Sequence, residues 1–188
     1  MTELINSNTK ENLLRAFAGE SQARNRYTFA AQQANEAKVY VIEKIFKFTA
    51  DQEKEHAQIY YDLLSPLSGT NIEITASYPV DKAETLIQLL KKSAHNEYEE
   101  FDPVYPDFAK VAREERFNNI GLIFEMISKI EKTHGQRFDY FARLIEDSML
   151  FESETETEWL CLNCGHVHRG KEAPKICPVC SHIQSYFI

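Results

Sequence analysis

Two Glu-x-x-His pairs are the residues of this sequence whose types and spacing point most directly to chemistry. Glu53 and His56 form one pair, and Glu131 and His134 form the other. Residues three apart on an α-helix project from the same face, so each pair can offer a carboxylate oxygen and an imidazole nitrogen to one metal ion. A single pair would carry little information, but two similar pairs make a metal centre the hypothesis to pursue.

Each pair interrupts an apolar stripe that has the spacing of a packed helix, with steps of three and four residues. The first stripe reads Ile42, Phe46, Thr49, Glu53, His56, Tyr60 and Leu63, and the second reads Ile120, Phe124, Ile127, Glu131, His134, Phe138, Phe141 and Ile145. Burying ionised carboxylates in such stripes is costly unless a counter-charge is present. The neighbouring sequence offers none, whereas a metal would supply it.

Four long helices are predicted to position these residues. The first is expected from about 10 to 36 with Thr9 as its N-cap, and its stripe contains Glu20. The second is expected from about 40 to 64. The following segment, rich in Pro, Ser, Gly and Asn, suits a long crossover connection.

The third predicted helix begins at Asp81-Lys82-Ala83-Glu84, which has the form of a capping box. Its stripe contains Glu97 and Glu100. Pro103 and Pro106 are expected to kink or break it. A fourth helix is predicted from about 118 to 149.

The predicted fold is therefore an all-α, up-down four-helix bundle with its metal ligands pointing inward. The first and third helices each contribute Glu, and the second and fourth each contribute a Glu-x-x-His pair, which is the arrangement of a two-metal carboxylate site. The predicted bundle ligands are Glu20, Glu53, His56, Glu97, Glu100, Glu131 and His134. One carboxylate more than this pattern requires is present, namely Glu100.

All four cysteines lie near the end of the chain, as Cys161-x-x-Cys164 and Cys177-x-x-Cys180. Two such pairs in a chain without a secretory signal indicate a tetrahedral thiolate site rather than disulfides. Zinc or iron could occupy it, and on spacing alone zinc, in a purely structural ribbon, is the commoner occupant. His95, His166, His168 and His182 are expected to be surface or loop residues.

Composition limits the classes of function. The 188 residues suffice for a bundle at 1–150 and a small metal module at 159–188, with the acidic stretch 151–158 expected to be a solvated linker. A formal net charge of −8 argues against nucleic acid as a partner. No apolar run is long enough to span a membrane, so a cytoplasmic protein is expected.

These motifs together resemble the rubrerythrin family over essentially the whole chain. The segments that carry the resemblance are AGESQARNRY at 18–27, EKEH at 53–56, EYEE at 97–100, YPDFA at 105–109, EKTH at 131–134, and CPVC at 177–180. The terminal module resembles a rubredoxin domain with shortened spacing between its cysteine pairs. The resemblance implies a ferritin-like fold for the bundle, with two irons in the bundle and one iron at the four cysteines.

The resemblance also implies a role for each ligand. Glu53 and Glu131 would bridge the two irons, while Glu97 and His134 would be terminal ligands of one of them. Glu20 would bind the other iron. In this family that iron shifts between a carboxylate and a histidine as its redox state changes.

In this sequence those alternating partners would be Glu100 and His56, which gives the additional carboxylate a purpose. Tyr27 and Tyr105 match family tyrosines near the site, although their positions also suit ordinary core aromatics. Ser181 stands where a rubredoxin loop often has Gly. His166 and His168 also depart from the usual pattern, and these residues could shift the potential of the cysteine-bound iron.

The function implied by the resemblance is reduction of hydrogen peroxide to water by a non-haem diiron peroxidase. Electrons would enter through the cysteine-bound iron from a separate reductase or rubredoxin, because the chain has no nucleotide-binding motif. A homodimer is expected, and the four-cysteine site of one subunit could serve the diiron site of the other. The alternative is a ferritin-like ferroxidase or iron-binding protein with a structural zinc ribbon. A third possibility is a diiron oxygenase, which would need an apolar substrate pocket.

Overall fold

The structure is a computed structural model that describes residues 3–188. It contains a four-helix, ferritin-like bundle followed by a small module with a two-stranded sheet, which confirms the predicted fold class. The main elements are α1 (Asn8–Glu36), α2 (Tyr40–Leu63), α3 (Leu86–Glu99), α4 (Tyr105–Glu114), α5 (Asn118–Glu146), β1 (Glu152–Leu160) and β2 (Val167–Glu172).

The bundle consists of two helical layers. Helices α1 and α2 form an antiparallel hairpin, and α3 and α4 both pack on α5 as two halves of one bundle position. Residues 70–83 between α2 and α3 form no helix or strand and run along the outside, as expected of a crossover. Buried aromatic residues fill both ends of the bundle, including Phe46 and Phe138 at one end and Tyr60 and Phe124 at the other.

Two predicted helix caps are wrong. Ser7, not Thr9, caps α1, and its side chain accepts a hydrogen bond from the Lys10 amide. The Thr9 hydroxyl instead donates to the Glu115 carboxylate at 2.6 Å. Thr85, not Asp81, caps α3 by accepting from the Gln88 amide at 3.2 Å. Both stretches contain several residues able to cap, and tertiary contacts decided which of them does so.

The break predicted near Pro103 is present. A wider helical turn, Glu100–Val104, joins α3 to α4, and Asp102 within it has extended backbone angles. Proline lacks an amide hydrogen and its ring clashes with the preceding turn, so a regular helix cannot continue. Ser128 of α5 donates to the freed Phe101 carbonyl at 2.9 Å. Glu100 therefore lies where the helix opens.

The stretch 151–158, expected to be a solvated linker, is largely exposed, but it also has regular structure. Most of it belongs to β1, which pairs antiparallel with β2. Its alternation of Thr and Glu has the two-residue period of a strand, and threonine favours strands. Trp159 is buried near its end and donates from Nε1 to the Gly170 carbonyl at 3.0 Å.

The terminal module packs on the bundle at the start of α2. The rings of Tyr40 and Tyr186 lie 4.5 Å apart between centroids, and Leu162 packs against the bundle core. Within residues 3–188, none of the helices has the length and apolar character needed to cross a membrane.

Candidate metal centres

The middle of the bundle brings together two overlapping groups of possible ligands. Within each group, one ligand atom per residue lies within 4.8 Å of all the others. The first group is Glu20, Glu53, His56 and Glu131, and the second is Glu53, Glu97, Glu131 and His134. Glu53 and Glu131 belong to both, as expected of residues that bridge two metals.

The two shared carboxylates divide their oxygens between the histidines. His56 Nδ1 lies 3.1 Å from Glu53 Oε2 and 3.0 Å from Glu131 Oε1. His134 Nδ1 lies 2.9 Å from Glu53 Oε1 and 2.8 Å from Glu131 Oε2. Each carboxylate thus presents one oxygen to each side of the centre.

Close helix packing makes this convergence possible. Gly135 follows His134 on α5, and a Cβ at Gly135 would lie only 2.7 Å from Tyr98 Cε1 of α3. The absence of a side chain allows α3 and α5 to approach closely. Glu97, next to Tyr98, consequently reaches the site, with its Oε2 atom 3.4 Å from His134 Nδ1.

Unpaired buried atoms test whether metals fit here. Glu20, Glu53, Glu97, Glu131 and His134 all have side-chain oxygen or nitrogen atoms that make no hydrogen bond with the described residues. The short distances between His134 Nδ1 and its carboxylate neighbours are contacts without hydrogen-bond geometry. All five of these residues are essentially inaccessible to solvent. Buried polar atoms are normally paired, and an unpaired carboxylate is especially costly. Because the unpaired atoms face one another in two groups of carboxylate and imidazole donors, they fit a pair of divalent metals.

The electrostatics of the residues agree with this interpretation. Burial, reinforced by neighbouring carboxylates, raises the pKa of Glu20 and of Glu97 well above the usual range. Burial also opposes ionisation of Glu53, but its contacts with His134 and His56 outweigh that effect and lower its pKa to about 2. The same carboxylates overcome burial at His134 and raise its pKa to about 12. The carboxylates of the site thus stabilise a positive charge placed between them, as a metal ion would be.

Tyr27 and Tyr105 both touch this cluster. The Tyr27 hydroxyl donates to Glu97 Oε1, and the Tyr105 hydroxyl donates to Glu20 Oε1. Both rings are 1 % exposed. Burial, followed by nearby carboxylates, raises the pKa of each phenol well above its usual value, so both retain their protons.

Glu100 is the one predicted bundle ligand outside both groups. Its carboxylate lies in the wall of an adjacent cavity, together with Tyr105. Burial and the nearby carboxylate of Glu20 raise the pKa of Glu100, so Glu100 interacts electrostatically with the carboxylates of the two groups. His56 occupies the side of the centre that Glu20 also faces, with His56 Nδ1 3.6 Å from Glu20 Oε2.

Two residues near the centre were missed from the sequence. Tyr60 was assigned only to the apolar stripe, yet its buried hydroxyl has no partner among residues 3–188, and its ring lies 5.7 Å from that of Tyr105. Arg137 is held by Thr49 Oγ1 at 2.8 Å and Gln52 Oε1 at 2.9 Å. Arg137 supplies a positive charge near the carboxylates, and its position three residues after His134 could have indicated this.

The four cysteines form the second centre. Cys161 Sγ lies 3.7 Å from Cys180 Sγ, and Cys164 Sγ lies 3.7 Å from Cys177 Sγ. Four sulfurs each about 2.3 Å from a central metal form a tetrahedron with edges of about 3.8 Å, so the sulfurs fit one metal ion.

The two loops that carry the cysteines have the same backbone pattern. The Gly165 amide donates to the Cys161 carbonyl at 2.8 Å, and the Ser181 amide donates to the Cys177 carbonyl at 3.0 Å. Gly165 and Ser181 both have positive φ, at 78° and 60°. Ser181 therefore adopts the conformation that glycine usually provides, and the loop is retained.

Comparisons with known proteins agree with these sites. The family model named Rubrerythrin matches residues 11–142, and that of the rubrerythrin rubredoxin-like domain matches residues 159–188. The chain is 44% identical to a rubrerythrin of Porphyromonas gingivalis, covering 96% of this chain and 89% of the relative. It is 42% identical to a rubrerythrin of Nitratidesulfovibrio vulgaris, covering 100% and 96%.

Solved structures are similar in fold. Fully reduced nigerythrin superposes with a TM-score of 0.66 at 28% identity, covering 96% of this chain and 85% of that one. A bacterioferritin of Desulfovibrio desulfuricans superposes with a TM-score of 0.68 at 20% identity, covering 76% and 82%; this likeness concerns the fold alone. With its diiron carboxylate site in a ferritin-like bundle and its rubredoxin-like site of four cysteines, this chain belongs to the rubrerythrin family.

Proposed function

We propose that this protein is a non-haem diiron peroxidase that reduces hydrogen peroxide to water with electrons delivered through the four-cysteine site. The observation that carries the proposal is the division of the Glu53 and Glu131 oxygens between His56 and His134. This symmetric arrangement suits two irons held close together. When bound, a pair of ferrous irons supplies the two electrons that cleavage of the O–O bond requires.

The proposed ligands follow from this geometry. Glu53 and Glu131 would contribute to both metal positions, Glu97 and His134 would hold one metal, and Glu20 would hold the other. His56 would be the partner of Glu20, because it belongs to the same ligand group, and Glu100 in the cavity wall would be the alternative partner. Exchange of a neutral imidazole for a carboxylate would add one negative charge. That change matches the charge of a more oxidised centre.

Other side chains hold this centre in place. Tyr27 and Tyr105 bind oxygens of the terminal carboxylates Glu97 and Glu20, which limits the rotation of those carboxylates. Their hydroxyl protons stay within the site and out of bulk water. Arg137 offsets part of the negative charge of the ligand set.

Electron delivery is proposed to occur between subunits of a homodimer. The four-cysteine module packs beside Tyr40 at the first turn of α2. Glu53 lies 13 residues further along the same helix, which at 1.5 Å per residue amounts to about 20 Å. A partner subunit that brings its four-cysteine module to the other side of the bundle would shorten this path. The donor to the four-cysteine site would be a separate reductase or rubredoxin, and four cysteines arranged for a metal rather than for disulfides suit a cytoplasmic location.

Stopped-flow oxidation of the fully reduced, full-length protein by hydrogen peroxide under anaerobic conditions tests the proposal. We expect one peroxide to be consumed for every two electrons lost, with no release of oxygen. Glu53→Ala should abolish this reaction. The matched control, Glu55→Ala, removes an exposed carboxylate two residues away and should leave it unchanged.

The alternative, an iron-storing ferroxidase with a structural zinc ribbon, gives a different result. Zinc in the four-cysteine site of protein produced with ample iron, together with net uptake of ferric iron, would contradict the peroxidase proposal. Iron in that site which is reduced by an external donor would support it.

A further inference from the structure

A cavity of about 400 Å³ lies directly beside the bundle centre. Glu100 and Tyr105 form its inner wall, and both are residues of the proposed reaction centre. Ala16 of α1, Val104 of the turn between α3 and α4, and Phe108 of α4 extend the wall with apolar surface. The cavity therefore places an apolar surface next to the residues where peroxide would react.

The outer wall is a segment of the crossover, residues 75–79, which we call the strap. Two hydrogen bonds hold the strap against α1: the Tyr78 hydroxyl donates to the Arg15 carbonyl at 2.7 Å, and Arg15 Nε donates to the Thr75 carbonyl at 3.0 Å. These bonds tie the strap to α1 near both of its ends, so the strap forms one wall of the cavity.

Gly19 lines the cavity between the strap and Glu100. A Cβ at this position would lie 3.5 Å from Tyr78 Cε1 and 3.8 Å from Glu100 Oε1. Any longer side chain would therefore fill the space between Tyr78 and Glu100. The glycine lies within α1 and has an ordinary helical conformation, so no backbone requirement accounts for it.

The size of the cavity exceeds what hydrogen peroxide needs. Hydrogen peroxide has two heavy atoms, whereas a single water occupies about 30 Å³ of liquid and ligand pockets for organic molecules begin at about 300 Å³. The lining also indicates the charge of a ligand. The carboxylates of Glu99 and Asp107 line it, together with the carboxyl group of Glu100. Its one guanidinium, that of Arg15, is already bound by Glu11, Asn12 and the strap. An anionic ligand is disfavoured, and a neutral one with an apolar body is favoured.

We propose that this cavity binds neutral organic hydroperoxides, and that these are a second substrate class of the centre. This inference rests on the proposed peroxidase function. The hydroperoxide group would face Glu100, and the organic group would lie on Ala16, Val104 and Phe108. In the balanced reaction the O–O bond of ROOH breaks, two electrons and two protons are taken up, and ROH and water form. The electrons come from the same external reductase or rubredoxin as in the reduction of hydrogen peroxide.

Steady-state turnover of the holoprotein with hydrogen peroxide and with cumene hydroperoxide tests the proposal. Ala76→Trp places a large ring in the strap wall and should lower kcat/KM for cumene hydroperoxide by about tenfold or more, while hydrogen peroxide loses less than about twofold. The matched control is Val80→Trp, which adds the same ring to the crossover at a 91 % exposed position outside this cavity. It should leave both substrates unchanged. A fatty-acid hydroperoxide, being anionic, should be a poor substrate of the wild-type protein.

A binding measurement separates the cavity from the chemistry. The alcohol product, 2-phenyl-2-propanol, cannot be reduced further, and isothermal titration calorimetry of the oxidised holoprotein should detect its binding in the wild-type and Val80→Trp proteins. Binding should be lost in Ala76→Trp.

The outcomes distinguish the two proposals. Turnover of hydrogen peroxide without turnover of cumene hydroperoxide would overturn this inference and leave the peroxidase function intact. Equal effects of Ala76→Trp and Val80→Trp would also overturn it. Turnover of neither substrate would contradict the peroxidase function, and in that case absence of alcohol binding would remove the cavity proposal as well.

Discussion

The imidazole rings of His56 and His134 lie nearly parallel across the bundle centre, with centroids 5.7 Å apart and planes inclined by 16°. They come from different helices, yet each directs Nδ1 at the same two carboxylates, Glu53 and Glu131. Two parallel donors on opposite sides of shared carboxylates define two metal positions rather than one. The diiron centre follows from this relationship.

Removal of the bundle metals is expected to destabilise the protein. Five Glu side chains converge at or beside the centre, and without metal their mutual repulsion is only partly relieved by the two histidines and Arg137. At pH 7 the metal-free protein should melt at least about 5 °C below the holoprotein, which corresponds to about 2 kcal/mol for a chain of this size. Differential scanning calorimetry before chelation, after it, and after anaerobic return of ferrous iron measures this. Identical melting in the three states would contradict a buried metal centre.

Replacing Glu100 should affect reaction more than metal binding. Because His56 already occupies the position beside Glu20, Glu100→Ala should still bind two irons in the bundle. Loss of the alternating carboxylate should slow stopped-flow reoxidation by peroxide by about tenfold or more. Glu55→Ala, which removes an exposed carboxylate outside the ligand groups and the cavity, is the control. Wild-type rates in Glu100→Ala would refute the proposed exchange of ligands.

Electron delivery between subunits can be tested by complementation. Cys161→Ala should disable the four-cysteine site, and Glu53→Ala should disable the bundle site, so neither variant alone should couple donor oxidation to peroxide reduction. A mixed dimer carries one intact site of each kind on different subunits. If electrons cross the dimer, mixed dimers purified through two different tags should regain coupled turnover. Inactive mixed dimers would place the path within one chain.

The carboxylate of Glu115 should make stability depend on pH. It accepts hydrogen bonds from the amides of Asn8 and Thr9, each at 2.8 Å, at the start of α1. Partial burial opposes its ionisation, but these bonds outweigh that effect and lower its pKa. The ionised Glu115 carboxylate therefore contributes fully to the free energy of unfolding above a pH of about 4.3, the pKa of Glu in an unfolded chain. This contribution is lost as the pH falls through the lower pKa that Glu115 has in the folded protein.

Glu115→Gln should accordingly lower the free energy of unfolding by about 1 kcal/mol at pH 7. Chemical denaturation at a series of pH values should show this difference shrinking only below the unfolded pKa. Glu114→Gln alters an exposed neighbour and should show neither effect. A difference that is constant down to strongly acid pH would mean that the charge of Glu115 is irrelevant.

Ser181 offers a way to stabilise the four-cysteine module. Its φ of 60° is unfavourable for a residue with a side chain, so Ser181→Gly should stabilise the module by about 1 kcal/mol. Gly165→Ala is the converse test, because nothing lies within 4 Å of the added Cβ and only the backbone conformation opposes it. It should destabilise by a similar amount. Loss of the absorbance of the cysteine-bound metal in guanidinium chloride measures both changes, and shifts of the same sign would contradict this explanation.

Much of the bundle centre was predictable because its signals are local. Residues three apart on a helix share a face regardless of the tertiary structure, so the pairs Glu53–His56 and Glu131–His134 can be recognised from the sequence alone. The cysteine pairs behave likewise, and Pro103 breaks a helix by its own covalent structure. The caps were harder to predict: Thr9 and Asp81 are suitable residues, but Glu115 and Asn96 engage them in contacts distant in sequence.

The sequence by itself thus determined the kinds of ligand and the helices that carry them. Only the tertiary structure decided that His56 belongs to a ligand group at the centre while Glu100 lines the cavity, because the two residues lie in different helical segments and packing sets their distance from the centre. Tyr60 and Arg137 were likewise invisible as members of the site, since their significance depends on helices that meet through packing. The strand at β1 required a partner, β2, before its alternating residues could be distinguished from a linker. Distances between segments far apart in the chain are set by packing, and no local pattern contains them.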